Sequence, residues 1–247
     1  DIDLFMTHLL SETNTLYLND GQGLFTERTL TTGLGASSLP YTGFGTAFFD
    51  LDTDGRLDLL TVNGEVRTIR EQREAGEDFP LRQANQLFRN AGAPGQAVFE
   101  DWTSRAPVLE RALVSRGAAF GDLDNDGDTD LVIQNGGGPV QLLENTLGSE
   151  RSWLGLRLLD ASGRDALGAR VIAELPDAPS LERTAQSGGS YLSAGDPRVL
   201  LGLGDRETAL RVTVRWPSGA RETFEDLAVR RYHSLREGSG RPGEAGP

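Results

Sequence analysis

The same acidic loop occurs twice in the sequence, and this repeat restricts the possible folds more than any other feature. The first copy lies at residues 46–64 (TAFFDLDTDGRLDLLTVNG) and the second at residues 117–136 (GAAFGDLDNDGDTDLVIQNG), with an offset of 72 residues between the loops. Both copies run in the same order: a small residue, an aromatic residue, D-x-D-x-D-G-x-x-D, an apolar run that begins with Leu, and Asn-Gly. Two copies that coincide residue for residue predict a repeat architecture.

A second recurring piece accompanies the loops. Residues 14–27 match residues 85–101, and residues 140–146 form a shorter third copy. Both pieces have the pattern of strands broken by Gly and Asn turns, which predicts a unit of a few antiparallel strands that stacks against its neighbours, as in the blades of a propeller. The first residues align Asp3 with the last aspartate of each acidic loop, so we expect the chain to begin inside a blade.

The loops themselves have the composition of a site for a hard cation. Aspartates occupy loop positions 1, 3, 5 and 9, and Gly at position 6 permits the sharp turn that brings them together. Ligand sets made only of oxygen favour Ca²⁺ or Mg²⁺ over Zn²⁺ or Cu²⁺, and a flexible loop suits Ca²⁺, which accepts about six to eight oxygens. Two like charges about 4 Å apart repel by roughly 4 kcal/mol at an effective dielectric near 20, so a bound cation would stabilise the folded loop.

Two other interpretations of the loops are possible. Asp and Gly are common in turns that bind nothing, but a solvated turn does not need Asp at four fixed positions in two copies. An EF-hand needs a bidentate Glu at position 12, where these copies have Thr61 and Ile133 inside predicted strands. The sequence therefore predicts calcium sites that are not EF-hands.

The repeated motif resembles the FG-GAP (VCBS-type) repeat of integrin-like β-propellers. The resemblance implies two calcium sites that use the carboxylates at positions 1, 3, 5 and 9 and the backbone carbonyl at position 7. The first site would comprise Asp50, Asp52, Asp54, Arg56 and Asp58, and the second Asp122, Asp124, Asp126, Asp128 and Asp130. The side chain of Asp128, at position 7, would then point away from the ion.

The resemblance also implies an incomplete ring. Propellers of this family usually close with about seven blades, whereas residues 1–147 supply about two and a half. Because open blade edges are unfavourable, we expect the rest of the propeller to lie upstream in the native chain.

A second domain is predicted at residues 150–238, because the acidic loops stop after Asn145 and the sequence continues as short strands and polar loops. Residues 210–227 have the pattern of a hairpin with its turn at residues 217–219. The succession WLGLRL, GAR, GGSYLS, GLG, VRWPSG and REG is similar to the ASPIC/UnbV domain. The predicted fold is therefore all-β, a partial β-propeller followed by a small β-sandwich-like domain, with a disordered tail at residues 239–247.

Composition limits the partners. The 37 acidic residues exceed the 24 basic residues, all of them Arg, and the net charge of −13 argues against a nucleic-acid partner. No apolar run reaches the roughly 18 to 20 residues of a membrane helix. The chain lacks Cys and shows no leader, so the prediction of a secreted or cell-surface location depends on the family resemblance.

No motif points to a catalytic site. Gly202 and Gly204 are followed by Glu207 where a nucleotide-binding loop would have a third Gly, and Ser190 lacks the G-x-S-x-G frame. Structural roles are predicted for His8 and His233.

The predicted function is a calcium-binding, non-catalytic extracellular adhesion or recognition module, in which calcium orders the blade loops and an extracellular protein or glycan is the partner. The alternatives are part of a secreted enzyme that acts on carbohydrate or lipid, and a calcium-stapled scaffold. Two segments have further interpretations. The charged insertion at residues 67–83 is predicted as a solvated loop or short helix, or as a partner-contact loop, and residues 228–238 as a strand with one wet face.

Overall fold

The computed structural model describes residues 2–93, 95–207 and 211–243. The first part of the chain forms three antiparallel sheets in sequence order. The first contains β1 (Leu4–Met6), β2 (Thr15–Asn19) and β3 (Phe25–Glu27); the second β4 (Gly43–Phe49), β5 (Asp58–Asn63), β6 (Gln86–Asn90) and β7 (Phe99–Asp101); the third β8 (Ser115–Gly121), β9 (Asp130–Asn135) and β10 (Gln141–Leu143). One complete four-stranded blade is thus flanked by two three-stranded blades, as the prediction of about two and a half blades requires.

Each blade packs against the next. Leu16 of the first blade shares an apolar cluster with Leu59 and Phe88 of the second. Leu60 of the second blade lies in another cluster with Ile133 of the third. Side chains that point away from one sheet are therefore buried against its neighbour, which is the packing of a propeller segment.

Hydrogen bonds confirm the sequence alignment of the repeats. In every blade, an aspartate lies just before or at the start of one strand, and its carboxylate accepts a hydrogen bond from the backbone N–H of an asparagine at the end of the next strand or just after it. The three pairs are Asp3 with Asn19 (2.8 Å), Asp58 with Asn90 (2.7 Å) and Asp130 with Asn145 (2.9 Å). Asp3 therefore occupies the place that the sequence alignment gave it.

The later part of the chain is a β-sandwich. One sheet has the order β14-β11-β17 and the other the order β13-β12-β15-β16-β18. Their bounds are β11 (Ser152–Leu159), β12 (Arg170–Glu174), β13 (Leu181–Thr184), β14 (Val199–Gly204), β15 (Arg211–Arg215), β16 (Arg221–Phe224), β17 (Arg231–Arg236) and β18 (Arg241–Pro242). Leu154 and Leu201 from the first sheet share one apolar core with Val171 and Val214 from the second.

The helix in the charged insertion and the hairpin turn lie where the sequence predicts them. The insertion at residues 67–83 contains the helix α1 (Arg70–Glu74), and a second helix, α2, spans Pro107–Glu110. Two 3₁₀ turns lie at Ala36–Ser38 and Thr103–Arg105. The hairpin turn at residues 217–219 is closed by the N–H of Trp216, which donates to the carbonyl of Ala220 at 2.9 Å. No helix in the described ranges is long and apolar enough to cross a membrane.

The predicted disordered tail begins too early. Residues 241–242 form β18, which pairs with β16, and the N–H groups of Gly238 and Gly240 donate to the buried carboxylate of Glu222. A buried carboxylate needs such donors, so the chain stays attached to the sandwich beyond residue 238. The prediction is wrong for residues 239–243, and residues 244–247 lie outside the described residues.

Candidate metal centre

The first acidic loop connects β4 to β5, and the second connects β8 to β9. The two loops have the same backbone conformation at their turn positions. Thr53 and Asn125 at position 4 have φ values of 50° and 65°, and Gly55 and Gly127 at position 6 have 92° and 97°. The left-handed region is accessible to Gly at little cost and is tolerated by Asn, which explains the Gly at position 6 in both copies. The two loops are therefore repeats in conformation as well as in sequence.

The aspartate at position 9 closes each loop. Asp58 accepts a hydrogen bond from the N–H of Leu51 at 2.8 Å, and Asp130 accepts one from the N–H of Leu123 at the same distance. The aspartate at position 1 turns inward and binds the N–H of the glycine at position 6, from Gly55 to Asp50 at 2.9 Å. These bonds hold the carboxylates of positions 1 and 9 on the same side of the loop.

Two groups of three carboxylates result. One oxygen each from Asp50, Asp52 and Asp58 lies within 4.8 Å of the others, and the same holds for Asp122, Asp124 and Asp130. Calcium–oxygen distances are about 2.3 to 2.6 Å, so oxygens on opposite sides of one ion lie about 5 Å apart. The two groups have dimensions that suit a calcium ion.

The other four predicted site residues do not belong to these groups. Asp54 pairs with the guanidinium groups of Arg56 and Arg89. Asp126 accepts from the N–H of Asp128 at 3.1 Å. The side chain of Asp128 is buried, and its Oδ2 accepts from the N–H of Gly148 at 3.3 Å.

The charge of these groups is poorly compensated by hydrogen bonds. Oδ1 of Asp52 and Oδ1 of Asp122 are buried and have no donor among the described residues. Burial raises the pKa of Asp50 and of Asp58 to about 7, with neighbouring carboxylates adding to the effect. Burial likewise raises the pKa of Asp128 to about 7. A cation beside such oxygens would supply the missing partner and lower these pKa values again.

Arginines distinguish the first loop from the second. Arg89 donates to Asp52 at 2.8 Å and to Asp54 at 3.3 Å, and Arg151 lies 3.7 Å from Asp52. In the part of the chain that the structure describes, no arginine nitrogen lies within 4.0 Å of a carboxylate oxygen of Asp122, Asp124, Asp126 or Asp130. Guanidinium groups therefore pair with carboxylates of the first loop, whereas no such ion pair is present at the second loop among the described residues.

The second loop is covered by the C-terminal sandwich. The hydroxyl of Tyr232 donates to Oδ2 of Asp122 at 2.7 Å. Arg198 donates to the carbonyl of Asp122 and to Oδ1 of Asn125, both at 2.6 Å. A Cβ added to Gly127 would lie 1.9 Å from the ring of Trp153, so only glycine fits at this contact.

The first loop makes equivalent contacts. Arg183 donates to the carbonyl of Gly55 and the N–H of Gly204 donates to the carbonyl of Thr53, both at 2.9 Å. A Cβ added to Gly202 would lie 2.2 Å from Oδ2 of Asp50. Both acidic loops thus form the interface between the propeller segment and the sandwich.

These contacts could not be predicted from the sequence. Tyr232 and Trp153 lie in strands whose alternating pattern is explained by the sandwich core, and Arg198 follows an unremarkable turn. Arg89 lies in the second recurring piece, but the matching residues there are Leu18 and Glu144, so repetition did not single it out.

Comparisons with known proteins agree with this architecture. Residues 1–61 match the FG-GAP-like repeat, which includes the first acidic loop, and residues 159–242 match the ASPIC and UnbV domain. Cartilage acidic protein 1 of Xenopus tropicalis and of Mus musculus are each 25% identical over 83% of this chain, and that of Homo sapiens is 24% identical over the same share. The chain covers 37 to 38% of the length of these relatives.

The second loop lies outside the matched repeat, but positions 4 and 6 have the same backbone conformation as in the first, and the bonds accepted by the aspartates at positions 1 and 9 recur. The two matched domains occur in the order that the sequence motifs predicted. The chain therefore carries FG-GAP-like repeats followed by an ASPIC and UnbV domain.

Proposed function

We propose that the chain is a calcium-binding, non-catalytic recognition or adhesion module of an extracellular protein, with one calcium ion in each acidic loop. One observation carries the proposal. Each repeated group of three carboxylates contains a buried oxygen, Oδ1 of Asp52 or Oδ1 of Asp122, that has no hydrogen-bond donor among the described residues. Buried polar atoms in folded proteins almost always have a partner, and for three converging carboxylates that partner is a cation.

The two sites are not equivalent in this proposal. Arg89 already lies against two carboxylates of the first loop, so a cation there competes with a guanidinium group. Among the described residues, no guanidinium group pairs with the carboxylates of the second loop. A cation there therefore relieves a larger repulsion between carboxylates. We therefore assign the tighter site to Asp122, Asp124 and Asp130.

Calcium also strengthens the contact between the two domains. The loops contact the sandwich through Tyr232, Arg198, Arg183 and Trp153, so loops held by an ion present a fixed surface to it. An ion that binds only the folded loops stabilises them by about 2.7 kcal/mol at 100 times its dissociation constant. This role also supports the alternative that the chain is a calcium-stapled scaffold.

An extracellular location agrees with both the site and the relatives. Sites in extracellular modules bind calcium with dissociation constants of about 10⁻⁴ to 10⁻³ M, which is adequate only where calcium is abundant. The similar proteins are named for cartilage and for acidity, and this chain carries a net charge of −13. The proposed partner is an extracellular protein or glycan.

Calorimetric titration of the chelator-treated chain with calcium tests the metal sites. We expect two binding events, of which Asp124→Asn removes the tighter and Asp52→Asn the weaker, while Glu110→Gln, at an exposed position on α2, leaves both unchanged. Arg89→Met should tighten the weaker event by removing the competing guanidinium. A titration without heat, and without a change in melting temperature, would exclude the calcium proposal.

A binding screen against extracellular proteins and glycans, in calcium and in chelator, separates the functions. Capture of a ligand without turnover supports recognition, and formation of a product supports an enzyme. Calcium-dependent stability without capture supports the scaffold.

A further inference from the structure

The segment that leads from the propeller to the sandwich crosses both acidic loops. It consists of residues 144–151, between the last strand of the third blade, β10, and the first strand of the sandwich, β11. We call it the inter-loop segment. It forms hydrogen bonds with the first loop, residues 50–58, and with the second loop, residues 122–130. The path between the two domains is therefore attached to both loops.

Asn145 of this segment joins the two loops directly. Its backbone N–H donates to Oδ1 of Asp130 in the second loop at 2.9 Å, and its side-chain Nδ2 donates to the carbonyl of Leu51 in the first loop at 2.8 Å. Asp130 belongs to one group of three carboxylates, and Leu51 lies between the first two aspartates of the other group. A shift of either carboxylate group therefore acts on Asn145.

Gly148 forms a second link. Oγ1 of Thr53 in the first loop donates to the carbonyl of Gly148 at 2.8 Å, and the N–H of Gly148 donates to Oδ2 of Asp128 in the second loop at 3.3 Å. All three residues are buried. A Cβ added to Gly148 would lie 2.7 Å from Cγ2 of Thr53 and 3.1 Å from Cβ of Asp128, so both loops pack closely against this glycine.

The residue at loop position 4 differs between the two loops in a way that this link explains. Its φ is positive in both, 50° at Thr53 and 65° at Asn125. Asn tolerates this region, whereas a β-branched residue is an outlier there. Asn125 is exposed, but Thr53 is fully buried and its hydroxyl is bonded to the inter-loop segment. Such strain persists only where surrounding contacts hold it, and the bond to Gly148 is one of these contacts.

We propose that the inter-loop segment couples the two loops, so that a calcium ion bound in one loop raises the affinity of the other loop for its own ion. An ion in one loop fixes the segment that the other loop also contacts, so the second ion has less of the chain to order. Coupling between two sites typically changes affinity about 5- to 150-fold, and by the same factor in both directions. This inference rests on the proposed calcium sites and makes Thr53 and Asn145 positioning residues.

The sign of the effect separates this coupling from electrostatics. An ion in one loop makes the potential at the other loop less negative, so charge alone would make the second ion bind more weakly. Ordering of the shared segment has the opposite effect. An increase in affinity would therefore report the segment and not the charge.

Calorimetric titration of the chelator-treated chain with calcium tests the coupling. The affinity of the first loop is measured in the wild type, where the second loop fills first, and in Asp124→Asn, where the second loop stays empty. We expect the first loop to bind at least about fivefold more weakly in Asp124→Asn.

Variants of the segment and of Thr53 show whether this ratio depends on the link. Thr53→Ala removes the hydroxyl that bonds to Gly148 and should at least halve the ratio, whereas Thr53→Ser keeps the hydroxyl and should retain it. Thr146→Ala, at an exposed position of the same segment, is the control and should also retain the full ratio. A full ratio in Thr53→Ala would overturn the role of the segment.

Hydrogen exchange tests the coupling without altering the link. In Asp52→Asn only the second loop can be filled, and the N–H of Gly55, which donates to Asp50 in the first loop, should exchange more slowly in calcium than in chelator. Unchanged exchange at Gly55 would overturn the coupling, as would equal or tighter binding by the first loop in Asp124→Asn. The calcium sites would survive either result if two ions bind, whereas a wild type that binds no calcium would overturn both proposals.

Discussion

Replacing the aspartate at position 3 of each loop should change stability in opposite directions when calcium is removed. Asp124→Asn keeps an oxygen that can accept the bond from the N–H of Asp126, now 3.2 Å long, but removes one negative charge from the second loop. The charge lies within 4.8 Å of Asp122 and Asp130. At that separation one pair repels by about 0.9 kcal/mol in water and by roughly 3.5 kcal/mol at an effective dielectric of 20. Asp124 is exposed, so we expect the lower part of this range.

In chelator, Asp124→Asn should therefore be more stable than the wild type by about 1 to 2 kcal/mol. This corresponds to roughly 2 to 8 °C in melting temperature for a chain of this size. In saturating calcium the order should reverse, because the variant has lost a ligand of the tighter site.

Asp52→Asn at the same position of the first loop is the matched comparison. Asp52 is paired with Arg89 and lies near Arg151, so its removal leaves arginines without a partner and should lower stability in chelator. Thermal melts of both variants, in chelator and in calcium, measure the effect. The reasoning is refuted if Asp124→Asn melts below the wild type in chelator, or if both variants shift in the same direction there.

Three further predictions concern the interface and pH. Gly127→Ala should destabilise the chain by more than 2 kcal/mol in urea unfolding, because the new Cβ would lie 1.9 Å from the ring of Trp153 and φ is 97°. A loss of stability below 0.5 kcal/mol would show that the Trp153 ring can move away from residue 127. Tyr232→Phe should cost about 1.5 to 3 kcal/mol in urea unfolding in chelator, since the hydroxyl donates to the carboxylate of Asp122; no loss would mean that this bond is absent in solution. In chelator, stability should fall as pH rises from about 4 to 7, because burial raises the pKa of Asp58 to about 7 and the folded state then holds a proton that the unfolded state has released. Calcium should flatten this decline, and equal slopes with and without calcium would contradict it.

The repeats could be predicted from the sequence because they depend on local signals. The D-x-D-x-D-G-x-x-D pattern fixes a loop in which position 6 needs a positive φ, and a strand follows at position 9. The partial blades followed from the same alignment, since Asp3 has the role of Asp58.

The environment of the loops could not be predicted in this way. The covering residues Tyr232, Arg198 and Trp153 lie 23 or more residues from the loops along the chain, and nothing in their local sequence marks a contact. The tail was misjudged for a related reason. Its Gly-rich composition indicates disorder, but the buried carboxylate of Glu222 recruits its backbone N–H groups as donors. The loop contacts and the attached part of the tail therefore depend on buried polar groups that find partners far along the chain, which composition does not reveal.

Diffraction from crystals grown in calcium, with data collected where calcium scatters anomalously, tests the central claim most directly. The account predicts an anomalous peak in each loop, the stronger within about 2.3 to 2.6 Å of oxygens of Asp122, Asp124 and Asp130. In the first loop, the guanidinium of Arg89 should move away from Asp52 to admit the ion. Absence of a peak from both loops in millimolar calcium would contradict the account.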